Sequence, residues 1–331
     1  MMAISYKVIR LLTWSVALLL VTIIFTHLPL ADLVATISRL EPGQWFLWIL
    51  INLLTILVLV IRWQVLARAT GQDIGLVPLL LIRQAGQLVS FITPGPQFGG
   101  EPLQVIWLWK NYRLPGPSAL LVVGLDRFME LWVNFAILLV AVLLLLLDTT
   151  VVNADWQIVA AVLGVLILLF SLSGVFLIRH PAKVTVLLQK IANRWKQHPV
   201  LGSLDTEWNM MSQNLRHVVG QQKMALMWAL VFSLIGWAGM ILELWLLLGF
   251  FIPAPDPGGF IVLFVAMRLA FLLPLPGGLG TLEAAIYWAI HGLGQPAGVA
   301  LGLIVLMRLR DAFIMICAMF ALRHLNNNLS R

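Results

Sequence analysis

The stretch from Trp156 to Ile178, "WQIVAAVLGVLILLFSLSGVFLI", contains no charged residue. As a helix it would cross about 30 Å of hydrocarbon, which takes about 20 apolar residues. Comparable runs lie at Val8 to Thr26, Trp45 to Arg62, Ser118 to Leu147, Met224 to Phe250 and Pro296 to Leu322. A chain in lipid must satisfy its backbone groups internally, and these runs lack the alternation of barrel strands. An all-α, polytopic helical membrane protein with about six full spans follows, a single integral membrane domain over residues 1–331. Charged residues are only 11% of the chain, against about 25% in soluble domains. The first run ends in "FTHLPLADL" with no small-residue cleavage site, so it reads as a retained anchor.

Two further apolar segments, Leu76 to Tyr112 and Gly259 to Gly292, are interrupted by Pro and Gly in "FITPGPQFGGEPLQVIWLWKN" and "LPLPGGLGTLEAAIYWAIHG". They read as re-entrant helical hairpins: a half-helix in, a broken tip, and a half-helix back to the same side. Lys and Arg collect on cytoplasmic loops. With a cytoplasmic N-terminus and both hairpins returning to their own side, the inner segments gather Lys7, Arg10, Arg68, Lys110, Arg113, Arg323 and Arg331. The outer loops keep Arg39 alone. This places both termini in the cytoplasm and the chain in the cytoplasmic (inner) membrane. Trp45 and Trp48 mark an outer interface and Trp63 an inner one, as aromatic belts do. The loop over residues 179–223, basic and amphipathic in its apolar spacing, falls on the cytoplasmic side. The net charge of +7 then reflects topology and anionic headgroups, with no nucleic acid implied.

The two interrupted segments repeat one order of features. Pro94, Gly95 and Glu101 are spaced as Pro276, Gly277 and Glu283 are. Each glutamate is followed by an apolar half-helix and a proline, Pro115 or Pro296. Twelve residues later comes Arg127 or Arg308, and three beyond that an acid, Glu130 or Asp311. Three spans separate the hairpins, so residues 76–147 and 259–323 form an inverted repeat with discontinuous helices, as in many transporters. Irregular backbone at membrane depth is tolerated only where protein or water covers it. The tips should therefore approach each other near mid-membrane, with half-helices starting near Gly100 and Gly280. Helix starts offer unpaired N–H groups and a positive dipole end, which suit an anion.

Arg83, Arg268, Arg308, Arg310 and Arg127 fall within apolar segments. A central arginine costs about 2.5–3.5 kcal/mol on insertion scales, so each needs a partner or a purpose. Arg127 with Glu130 and Arg308 with Asp311 can staple one helix face at i,i+3. Arg83 and Arg268 have no acid within four residues, and their planar forks suit a phosphate. Glu101 and Glu283 read either as helix-start residues or as gating carboxylates. The histidines are scattered without metal-ligand spacing, and Cys317 is the single cysteine, so no metal and no cofactor is expected. No nucleophile or acid cluster marks an enzyme.

The segments "TPGPQFGGEPLQVIWLWKN", "LVVGLDRFMELW" and "LPLPGGLGTLEAAI" resemble the flippase-like transmembrane region of lysylphosphatidylglycerol synthases. The resemblance runs from about Lys7 to Leu325. Gly99, Gly100, Glu101, Asp126, Arg127, Pro276, Gly277, Gly278, Gly280 and Glu283 match its motifs. It implies movement of a phospholipid across the bilayer. The synthases' soluble aminoacyl-transfer domain has no counterpart here, so the synthase activity is not implied.

The expected function is a lipid flippase, with an anionic phospholipid or polyprenyl-linked lipid as partner. Its substrate-binding set is Arg83, Gly95, Gly99, Gly100, Glu101, Asp126, Arg127, Arg268, Gly277, Gly278, Gly280, Glu283, Arg308 and Asp311. The alternative is a membrane-embedded transferase or accessory subunit acting on lipid phosphates, including a hopanoid-pathway role. The lipid, the direction, the energy source and the oligomeric state, a homo-oligomer included, stay open.

Overall fold

Proline and glycine punctuate this chain, and the helix bounds follow them. The computed structural model describes residues 38, 40–93, 99–147, 154–180, 183, 186, 208–252, 256–273 and 276–329. Those residues form ten α-helices and no strand. In chain order these are α1 (Pro42–Ala69), α2 (Leu76–Ile92), α3 (Glu101–Asn111), α4 (Gly116–Leu147), α5 (Ala154–Arg179), α6 (Trp208–Gln221), α7 (Lys223–Gly249), α8 (Pro257–Leu272), α9 (Thr281–Gly292) and α10 (Ala297–Leu329). Pro42 and Pro257 open α1 and α8, where a missing N–H does no harm. Asp256 caps α8 by accepting from the Gly259 N–H at 2.7 Å. Gly71 and Gly294, both with positive φ, close α1 and α9.

Helices α1, α4, α7 and most of α5 (Trp156–Phe176) are long and apolar enough to cross a membrane. Helix α10, at 33 residues, is longer than any of them but carries Arg308, Arg310 and Asp311 midway. The expected first span, Val8 to Thr26, lies outside the described residues. Helix α1 runs seven residues past the expected end at Arg62, which places that arginine inside the helix. On α5, Ile158, Val162, Val165, Leu168, Leu169 and Leu172 are each more than half exposed, the face of a helix that meets lipid.

The order long helix, interrupted pair, long helix occurs twice. Pro42 and Lys223, Leu76 and Pro257, and Gly116 and Ala297 open corresponding helices and lie 181 positions apart. Helices α5 and α6 fall between the two sets.

The chain divides into two compact units. Unit 1 comprises Met1–Ile51, Arg83–Glu101 and Ile241–Asn327. Within it α8 packs against α9, and the Trp245 and Phe260 rings meet edge to face at 5.0 Å. Unit 2 comprises Asn52–Ile82, Pro102–Met240 and Asn328–Arg331. There α4 packs against α5 and α6, with Phe170 between Phe128 and Phe135. Gly236 and Gly239 of α7 let Leu59 and Thr55 of α1 come closer than a Cβ would allow. Helix α6, in the C-terminal part of the basic loop, buries Leu215, Val218 and Val219 against Leu66, Ala69, Leu121 and Leu125. The apolar stripe of this part of the amphipathic loop is thus a protein contact within unit 2.

Candidate functional site: broken tips and buried ion networks

The break between α8 and α9 exposes backbone that no helix can satisfy. Pro276–Gly278 forms one 3₁₀ turn, and Gly277, Gly278 and Gly280 all have positive φ, at 57°, 62° and 82°. Glycine takes that region without strain. The Gly277 and Gly278 carbonyls each accept from Arg308, through Nη1 at 3.2 Å and Nη2 at 3.3 Å. Arg308 also donates through Nε to Glu283 Oε1 at 2.7 Å and through Nη1 to Asp311 Oδ2 at 3.2 Å. Its Nη2 lies 2.6 Å from the same Glu283 oxygen. Four of the five N–H donors of the guanidinium are thus engaged in hydrogen bonds, and the ion pair with Glu283 adds to them. Arg308 is 2% exposed, so the break is sealed by a buried cation. Glu283 Oε2 accepts from the Gly280 N–H at 2.9 Å, closing the start of α9. A carboxylate of the chain itself thus lies at this half-helix start.

From that tip a polar chain continues through unit 1. Asp311 Oδ1 accepts from Arg310 Nη2 at 3.1 Å, and Arg310 Nη1 donates to Glu243 Oε2 at 2.8 Å. Glu243 Oε1 accepts from Trp48 Nε1 at 3.0 Å. The sequence assigns Trp48 to an outer interface; the structure buries it, because its indole N–H serves a buried carboxylate.

The first tip is built differently. Residues 94–98, Gly95 among them, lie outside the described residues. Gly99 (φ 130°) donates its N–H to Glu101 Oε2 at 2.8 Å, and Gly100 donates to Ser90 Oγ at 3.0 Å. A Cβ on Gly100 would strike the Gly86 carbonyl, and one on Gly99 would strike Thr93. The Phe91 ring lies against Gly277, so unit 1 brings the end of α2 to the second tip.

In unit 2 the centre is Arg62, a residue that reads in the sequence as the end of a span. It is fully buried and donates to Asp126 Oδ1 through Nε at 2.8 Å. It also donates to Ser233 Oγ at 3.2 Å and Glu130 Oε2 at 3.3 Å. Arg127 reaches Glu130 at 3.4 Å, the expected i,i+3 pair. The continuation "RWQVLARA" from Arg62 onward is the signal that could have placed it inside a helix. Its neighbour Trp63, expected at the inner interface, is 1% exposed.

The structure therefore gathers Gly277, Gly278, Gly280, Glu283, Arg308 and Asp311 at one tip. Gly99, Gly100 and Glu101 sit at the other. Asp126 holds Arg62, and Arg127 joins that group through Glu130. Arg83 and Arg268 are half-buried on α2 and α8. Arg268 lies over the Phe264 ring, 5.5 Å from its centroid, a cation on an aromatic face.

Broken helix pairs, buried arginines and lipid-facing helices are features of a polytopic membrane protein, and the sequence comparisons agree. The family model of the lysylphosphatidylglycerol synthase TM region matches residues 7–318. The chain belongs to that family. It is a multi-pass membrane protein. A UPF0104 membrane protein of Methanothermobacter thermautotrophicus is 24% identical over 297 residues, covering 86% of this chain and 85% of the relative. A UPF0104 membrane protein of Methanocaldococcus jannaschii is 20% identical over 318 residues, covering 90% of each. No solved structure matches the chain.

Proposed function

We propose that this protein moves an anionic lipid, a phospholipid or polyprenyl-linked precursor, between the leaflets of the cytoplasmic membrane. The observation that carries the reading is the second tip, where left-handed glycines and a half-helix start are held by a buried arginine. Membership of a family defined by the lysylphosphatidylglycerol synthase TM region supports a lipid as substrate. In this reading the two broken pairs are re-entrant hairpins of an inverted repeat, and both termini are cytoplasmic.

The lipid phosphate reaches the tip in competition with Glu283. That carboxylate already holds the Gly280 N–H, and its side chain is 31% exposed, so it is the displaceable partner. Arg308 is held by four hydrogen bonds to its own chain and keeps the tip in shape. Arg83 and Arg268, on the helices that lead into the breaks, attract the headgroup, and the acyl chains stay in lipid.

Reconstitution tests this directly. Vesicles containing the protein should equilibrate a fluorescent phosphatidylglycerol between leaflets faster than protein-free vesicles. Exchange no faster than in protein-free vesicles, for that lipid and for a polyprenyl phosphate, would refute the reading. Topology is a separate test: Ser203→Cys should be labelled only from the cytoplasmic side, and labelling from outside would overturn the inverted arrangement.

A further inference from the structure

The buried networks of the two units occupy corresponding places in the chain. Arg62 of α1 and Glu243 of α7 lie 181 positions apart, the displacement that relates the helix starts. The same displacement relates Arg127 to Arg308, Glu130 to Asp311, Met129 to Arg310 and Asp126 to Met307. In unit 2 the helix before the break carries the cation, and α4 carries the acids Asp126 and Glu130 that receive it. In unit 1 the helix before the break carries the anion, and α10 carries the cation Arg310 that meets it. The central group of each brace is buried: Arg62 is 0% and Glu243 5% exposed. Each joins the long helix before an interrupted pair to the long helix after it.

We infer that Arg62 and Glu243 are one positioning residue used twice with opposite charge. Each fixes the frame around a broken helix pair. Glu243 acts through Arg310, Asp311 and Arg308 on the carbonyls of the second tip. The polarity is free to reverse because a brace needs a complementary pair and not a particular sign. Within each half, the sign has to agree with the partner helix. A glutamate at 62 would face Asp126 and Glu130, and an arginine at 243 would face Arg310, like charges at buried sites. The inference stands apart from the lipid reading, since it concerns what shapes the tip and not what binds there.

The test transplants one wiring into the other half. Glu243→Arg alone places like charge beside Arg310. Adding Arg310→Met and Met307→Asp reproduces the arrangement around Arg62. The carboxylate introduced by Met307→Asp takes the place of Asp126, and Asp311 takes that of Glu130. Two readouts are taken on full-length protein in detergent: the yield of folded protein, and hydrogen exchange of the amides from Gly277 to Glu283. The single variant should lose about tenfold or more of the folded yield, as expected when a buried charge loses its partner. The triple variant should recover to within about threefold of the parent, with exchange at the tip returned toward the parental rate. Glu243→Gln keeps the side-chain shape and the Trp48 acceptor. It should fold and still raise exchange at the tip, because Arg310 loses its charged partner. A triple variant no better than Glu243→Arg would overturn the inference. So would a folded Glu243→Gln whose tip exchanges as in the parent, because Glu243 would then not set the tip at all.

Discussion

The two broken tips share a sequence pattern and differ in why their glycines are needed. At the first tip Gly100 is closed down on the Gly86 carbonyl and Ser90, so its role is close approach. At the second, Gly280 has nothing within 4 Å of a would-be Cβ and a φ of 82°, so its role is backbone conformation. The carbonyls of the second tip are held by Arg308. The first tip's N–H groups are held by Ser90 and Glu101. Gly100 of one tip is thus packed against its own incoming helix, and the other tip is pinned by a side chain from α10, with only Gly280 open around its Cα. A motif that recurs in sequence can be stabilised by two unrelated physical means.

The largest effect expected from this contrast is at Arg308. Arg308→Met leaves Glu283 without its buried cation, leaves Asp311 with Arg310 alone and strips both glycine carbonyls of their donor. Loss of one partner of a buried pair costs about 3–5 kcal/mol. Thermal unfolding in detergent should show little folded protein, and a near-parental midpoint would show that the second tip does not depend on its pin. If the pair with Asp311 were only a staple, Arg308→Met with Asp311→Leu would restore stability. The structure predicts that it does not, because Gly277, Gly278 and Glu283 remain unserved.

Gly100→Ala comes next. The added methyl meets backbone at Gly86, which cannot swing aside as a side chain can, and overpacking of this kind costs about 1–3 kcal/mol. The unfolding midpoint should fall, and any loss of lipid movement should follow the loss of folded protein. This variant therefore reports packing, although the motif alone suggests a ligand contact.

Gly280→Ala should cost about 1–2 kcal/mol, the penalty of a left-handed residue with a Cβ. Nothing is displaced, so lipid movement in vesicles should fall further than stability does if a phosphate approaches the Gly280 N–H. Equal losses in both would mean that Gly280 serves only the turn. The smallest effect is at the surface. Arg68 and Asp73 pair at 2.9 Å but are more than half exposed, and Arg68→Ala should change stability by about 0.5 kcal/mol or less. A larger shift there would mean that the loop after α1 matters more than its exposure indicates.

The sequence by itself determined the helical membrane class, since long uncharged runs have few other ways to satisfy their backbone. It also placed the starts of the long helices to within about three residues, Pro115 and Pro296 among the signals, because such residues act on their own neighbours. The motif spacing pointed to Glu283, Arg308 and Asp311 as a group, and the structure brings them together. Only the tertiary structure decided which group each buried charge serves. Arg62 and Asp126 are 64 positions apart, and Trp48 and Glu243 are 195 apart. No local rule pairs residues at such separations, and a buried guanidinium accepts any carboxylate that packing delivers to it. That is why, in the sequence, Arg62 reads as the end of a span and Trp48 as an interface residue. It is also why the carbonyls of Gly277 and Gly278, which the sequence does not pair with any side chain, prove to be partners of Arg308.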